Sequence, residues 1–108
     1  MIILKLSSIT DSMIDVQQTD EFEEWLDGLA DRKARTVVVK RILQIEGGLL
    51  GHTRSLGDKV SEIKIDYGPG YRLYYTKVGL IVIILLCGGE KGSQKRDIKK
   101  AKGLAAKV

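Results

Sequence analysis

Hydrophobic positions change their spacing several times along the chain, and each change marks an element. Met13 opens an alternating run, Ile14 and Val16 followed by Gln17 and Gln18, which predicts a short strand and makes Met13 a candidate alternative start. Phe22, Trp25, Leu26 and Leu29 then fall at i, i+3, i+4 and i+7, the period of a helix face, and Asp20 with Glu23 gives a capping-box-like start. On that face Trp25 reads as a core anchor rather than a base-stacking platform. Asp31 caps a second pattern in which Ala34, Val38, Ile42 and Ile45 share a side, and Gly47 and Gly48 stop it. Val37 to Val39 is β-prone, so strand is the alternative there, but the length of the pattern favours helix. The pair predicts a helical hairpin lying over a sheet.

The second half reads differently. From Gly47 to Asp58 there is no period and much glycine, which predicts a loop carrying His52 and Arg54. Three strands are expected after it: Val60 to Tyr67, with Ile63 and Ile65 opposite Glu62, Lys64 and Asp66; Tyr71 to Thr76 beyond a Gly68-Pro69-Gly70 turn; and Leu80 to Leu86 beyond Lys77-Val78-Gly79. Leu80 to Leu86 is apolar throughout and is predicted as the central strand, ended by Cys87-Gly88-Gly89. Ser93 is the expected cap of a last helix whose Ile98, Ala101 and Ala105 make a thin apolar stripe. The predicted order is β-α-α-β-β-β-α, an α+β class with a mainly antiparallel sheet.

Length and composition limit what such a chain can be. At 108 residues it is read as one domain, without room for a deep lidded cavity, so a broad surface site is favoured. One cysteine excludes an internal disulfide, and one cysteine with one histidine cannot assemble a Cys/His zinc site; neither metal nor cofactor is expected. The apolar opening Met1 to Leu6 is too short for a signal or a membrane span, which predicts a cytoplasmic protein. The formal charge of +4 favours an acidic partner, and its distribution sharpens that expectation. Acids crowd the early chain from Asp11 to Asp31, while Lys91, Lys95, Arg96, Lys99, Lys100, Lys102 and Lys107 crowd the end.

Three places carry candidate chemistry. Arg72, on the opposite side of its strand from Tyr71 and Leu73, stands beside a strand bearing Lys64; an arginine fork with a neighbouring point charge can grip a phosphate, though charges on a solvated sheet face give the same pattern. Cys87-Gly88-Gly89-Glu90-Lys91-Gly92-Ser93 leads from a buried strand into a helix, where free N–H groups attract anions, but it matches neither the Walker nor the dinucleotide spacing and a plain turn is the favoured account. Lys95, Lys99 and Lys102 stack at i, i+4 and i+7 with Arg96 and Lys100 beside them, which is either a nucleic-acid face or a solvated one. Cys87 is read as a small buried hydrophobe and His52 as an isolated loop histidine able to serve as a base.

The strings TDEFEEWLDGLADRKAR, VSEIKIDYGPGYRLYY and LLCGGEKGSQKRDIKKAK together resemble the HigB-like addiction-module killer proteins of the RelE/ParE superfamily, over about Met13 to Lys102. Residues 1–12 fall outside the likeness, as a possible extension. The resemblance implies a small RelE-like fold and the toxin of a type II toxin–antitoxin system, with a cognate antitoxin of helix-turn-helix, HigA-like type through which alone operator DNA is bound. It further implies a metal-independent, ribosome-dependent mRNA endoribonuclease acting on ribosome-bound mRNA, without a membrane role. By position, Arg72 and Lys91 correspond to residues that stabilise transition-state charge, and Lys64 to one that positions phosphate or moves a proton. Gln94, Lys95, Arg96, Lys99 and Lys102 would touch RNA backbone. The sequence departs from ribosome-dependent members in having neither tyrosine nor histidine after Tyr75, so Glu62, Tyr74 or His52 is the candidate for proton transfer. That departure keeps two alternatives open: a ParE-like toxin that poisons gyrase without cutting RNA, and a binding module without activity.

Overall fold

The computed structural model describes residues 14–108; residues 1–13, including Met13 and the apolar opening segment, lie outside that description. In chain order the elements are β1 (Asp15–Gln18), α1 (Asp20–Asp27), α2 (Arg32–Glu46), β2 (Thr53–Gly57), β3 (Val60–Ile65), β4 (Tyr71–Val78), β5 (Val82–Glu90), a 3-10 turn (Lys91–Ser93) and α3 (Gln94–Ala105). The five strands form one sheet in the order β1-β5-β4-β3-β2, antiparallel except where β1 runs parallel to β5. The fold is thus α+β, with α1 and α2 on one face of the sheet and α3 on the other.

The two helices form for the reasons their spacing gives. Phe22, Leu26 and Leu29 are buried from α1 and its exit, and Ala34, Val38, Ile42 and Ile45 from α2. They close over Ile63 and Ile65 of β3, Leu73 and Tyr75 of β4, and Ile83 and Leu85 of β5. Asp31 Oδ1 accepts from the backbone N–H groups of Lys33 at 2.9 Å and Ala34 at 3.3 Å, as a cap should. The cap of α1 is one residue earlier than predicted. Thr19 Oγ1 accepts from the Phe22 N–H at 3.0 Å and its own hydroxyl donates to the Leu86 carbonyl at 2.6 Å, so Asp20 and Glu23 sit inside the first turn and form no capping box.

On the other face α3 buries Ala101 and Ala105 against Val60, Tyr74, Leu86 and Cys87. Leu86 and Cys87 are consecutive yet both face α3, because the β4–β5 register slips between Tyr74 and Tyr75 and leaves an extra residue in β5. Ser93 stands at the start of α3 without capping it: its Oγ donates to the buried Asp97 carboxylate and lies 3.2 Å from the Glu90 carbonyl.

Three strand expectations are corrected. The region predicted as loop contains β2, which pairs with β3 through Thr53 and Ile63, Arg54 and Glu62, and Ser55 and Ser61. It is a mostly exposed edge strand, so it needs no apolar alternation. Its hairpin places Asp58 and Lys59 at φ 51° and 68°, the left-handed values that Asn-Gly or Asp-Gly would normally announce. The central strand is β4 rather than the apolar segment predicted, which is internal between β1 and β4 and runs from Val82 to Glu90. Leu80 and Ile81 belong to the β4–β5 turn and are 88% and 61% exposed.

Candidate functional site

Along one side of β3 the residues Val60, Glu62 and Lys64 point toward the α3 face, and they meet three different surroundings. Val60 lies under α3. Glu62 lies at the mouth of α3, 3.5 Å from the Gln94 side-chain amide, and Lys64 is beyond it, with its side chain 49% exposed. The helix therefore covers half of this face and leaves the other half open.

The open half is a two-lobed cleft. One lobe, about 450 Å³, is lined by Lys64, Arg72, Lys91 and the Asp66–Gly70 turn. The other, about 390 Å³, is lined by His52, Thr53, Arg54, Glu62 and Gln94, and shares Lys64 and Arg72 with the first. Strand register fixes the shared floor, because Lys64 pairs directly with Arg72, and Arg72 with Gly89 on its other side. Gly89 is required there, since a Cβ would run into the Asp97 carboxylate. Lys91 is brought in by its N–H, which donates to the Gly70 carbonyl at 3.1 Å and ties the start of the 3-10 turn to the β3–β4 loop. Gly68 and Gly70 give that loop φ values of 55° and 88°.

Arg72 is the unusual member. It is 8% exposed, and among the described residues neither its Nε nor its Nη1 has a hydrogen-bond partner. Glu62 Oε1 stands 3.6 Å from Nε, close enough to balance charge and too far for a hydrogen bond. Glu62 is itself buried and is paired through Oε2 with Arg54 Nη2 at 2.9 Å, on an arginine whose side chain is 63% exposed. A guanidinium keeps its charge and its five donors when desolvated, so an arginine held this way presents unsatisfied donors to whatever enters the cleft. Four cations, Arg54, Lys64, Arg72 and Lys91, face two carboxylates, Glu62 and Asp66, around the two lobes. The lining carries an excess of positive charge.

No family model matches the chain. It is similar to an uncharacterized protein of Haemophilus influenzae, 38% identical over 95 residues that span 88% of this chain and 96% of that one. The chain belongs to that protein's family. The Haemophilus relative carries no description of activity, so the chemistry has to come from the cleft itself.

Of the residues singled out from the sequence, the fold gathers Arg72, Lys64, Lys91, Glu62, His52 and Gln94 around the one cleft. Tyr74 is not among them. It is fully buried against α3, its hydroxyl has no partner among the described residues, and burial, with Glu62 and Asp97 nearby, pushes its pKa well above the ordinary value. A proton carrier for a ligand in the cleft cannot be sealed from it, so Tyr74 drops out. The basic stripe of α3 also divides. Lys95, Arg96 and Lys99 are exposed, Arg96 lines a separate depression with Trp25 and Glu90, and Lys102 pairs with Asp58 at 3.3 Å near the β2–β3 turn. Gln94 alone of that group lines the cleft.

Thr53 and Arg54 line the cleft because their segment is the strand β2 and not the loop that its sequence predicts. Cys87 is buried, its thiol donating to the Asp97 carbonyl at 3.6 Å, and burial together with the Asp97 charge pushes its pKa up to about 12. It is inert as a nucleophile. Among the described residues no three His, Cys, Asp or Glu side chains stand together as a metal site, and no helix is long and apolar enough to cross a membrane.

Proposed function

We propose that this chain is a RelE/ParE-type toxin, held inactive by a helix-turn-helix antitoxin, and that it cuts ribosome-bound mRNA at the two-lobed cleft. One observation carries the reading: a buried arginine with unpaired N–H groups forms the floor of an open, cationic cleft beside Lys64 and Lys91. Such a floor suits a phosphate whose charge increases during reaction. The adjacent 2′-oxygen attacks phosphorus, the bond to the 5′-oxygen breaks, and a 2′,3′-cyclic phosphate and a 5′-hydroxyl result. The protein's task is to hold the backbone, stabilise the added charge, take a proton from the 2′-hydroxyl and return one to the 5′-oxygen.

Arg72 and Lys91 serve the charge, and Lys64 positions the phosphate between them. Glu62, a carboxylate opening onto the same cleft, takes the 2′-hydroxyl proton, and His52, which lines the same lobe, returns one. The RelE-like topology is part of this proposal, resting on the quoted strings and on the α+β sheet with helices on both faces.

The test is induction in cells, with RNA ends mapped and DNA damage followed in parallel. Codon-positioned mRNA cuts that vanish in Arg72→Ala, with folding retained, are the expected result. A DNA-damage response without cuts points to gyrase, and an equally toxic Arg72→Ala variant sinks the cleft assignment.

A further inference from the structure

The geometry points to Arg54 as the anchor of a second phosphate subsite, so that the cleft holds two consecutive phosphates of a single strand, one on Arg72 and the next on Arg54. This rests on the reading of the cleft as an RNA-phosphate site. Arg54 is on the edge strand β2, directly opposite Glu62, while Arg72 is on β4, directly opposite Lys64. The two arginines therefore stand two strands apart and two residues out of step. With strands ~4.8 Å apart and ~3.3 Å per residue, their Cα atoms are separated by roughly 12 Å. Both guanidiniums reach toward the Glu62 carboxylate, which occupies the space between their tips, so each fork is left with its own lobe and two neighbouring phosphates lying across Lys64 suit that arrangement. The cleft has the matching shape, with one lobe of about 450 Å³ against Lys91 and one of about 390 Å³ against Arg54 and His52.

The two arginines also differ in freedom. Arg72 is fixed by burial, whereas the Arg54 side chain is 63% exposed and tied at its tip only to Glu62. When Arg54 swings to a ligand, Glu62 is not left bare, because Arg72 Nε remains at 3.6 Å and the Gln94 amide at 3.5 Å. Arg54 is mostly solvated in that pair and Glu62 keeps two other polar neighbours, so Glu62 acts as a resting place that holds Arg54 over the cleft until a phosphate replaces it.

The test uses the full chain and a 2′-O-methylated hexanucleotide, which cannot be cut, followed by NMR titration at low salt where weak binding is measurable. A single neutral methylphosphonate is stepped through its linkages, and wild type, Arg54→Ala and Arg72→Ala are compared. Each arginine is expected to contribute about tenfold to affinity through one charged linkage, with the salt dependence falling by about one ion per arginine removed. The neutral linkage that abolishes the Arg54 contribution should be adjacent to the one that abolishes the Arg72 contribution. Both arginines coupling to the same linkage, or Arg54 coupling to none while Arg72 couples to one, overturns the second subsite alone. Arg72 coupling to none overturns the phosphate cleft, and the subsite with it. Thermal melting of Arg54→Ala, at a mostly exposed position, shows that the variant is folded.

Discussion

The two faces of this sheet are made by the same strands and do opposite work. On the α1–α2 face, Ile63, Leu73, Ile83 and Leu85 have no exposed surface, while the buried charged residues among those described, Glu62, Arg72 and Asp97, lie on the α3 side. On the α3 face the helix covers Val60, Tyr74 and Leu86, then stops, and the next positions along the strands are Glu62, Lys64 and Arg72. Consecutive residues of β4 show the contrast most simply: Leu73 belongs to the dry face, and Arg72 to the floor of the cleft. The dry core and the proposed binding floor are divided by the two-residue period of a strand, and a short helix leaves the charged half uncovered.

Substitutions should separate the two faces, beginning with the core. Leu73→Ala removes a fully buried side chain and is expected to cost about 3 kcal/mol in chemical denaturation. Gly88→Ala should cost about 2 kcal/mol, because a Cβ there meets the Trp25 ring, which packs between Phe22 and Tyr71. If Gly88→Ala is neutral, α1 is not packed tightly on β5.

A third effect is alkaline. Burial raises the Cys87 thiol from 9.0 to about 12 and raises Tyr74 in the same direction. As pH climbs above 9 the unfolded chain gives up the thiol proton while the native state keeps it, so native protein binds more protons and stability falls with rising pH until about 12. By pH 10 the melting temperature should be lower by about 5 °C, and less so in Cys87→Ala. A flat profile between pH 8 and 10 contradicts the burial of this cluster. Smaller again, Lys59→Gly should stabilise by about 1 kcal/mol, since Lys59 sits at φ 68° where glycine is unstrained.

The smallest effect on stability is expected at Arg72, the residue on which the proposed function rests most. Arg72→Met removes one of the two arginines facing Glu62, which keeps its 2.9 Å pair with Arg54 and is not left as an uncompensated buried charge, so stability is expected to change by less than about 1 kcal/mol while growth inhibition is lost. A loss as large as that of Leu73→Ala would make Arg72 a structural residue and erase the contrast between the faces.

How much of this was legible in the sequence follows from the same division. The α1–α2 face was readable because burial there repeats with the period of its element: Ala34, Val38, Ile42 and Ile45 on a helix, Ile63 and Ile65 on a strand. That Arg72 lies beside the strand of Lys64 was readable from a hairpin with a Gly-Pro-Gly turn, and the register that makes them direct partners comes from the structure. β2 was not readable, because an exposed edge strand needs no apolar alternation and its turn uses Asp58 and Lys59 in place of an Asn-Gly or Asp-Gly signal. Losing β2 from the reading hid Arg54, and with it half the cleft. The burial of Tyr74 was equally hidden, since nothing in a strand's alternation says how far the helix above it extends.

Binding of RNA phosphate to the uncovered half of the α3 face, through Arg72, is what the proposed function requires. It is tested most directly by following the Arg72 Nε–H signal of isotopically labelled protein while uncleavable single-stranded RNA is added. The Arg72 signal is expected to shift and to gain protection from solvent exchange as its vacant donors find oxygen. If instead it stays in place while the amides from Lys95 to Lys102 shift, RNA is held by the helix surface and the cleft is not its site.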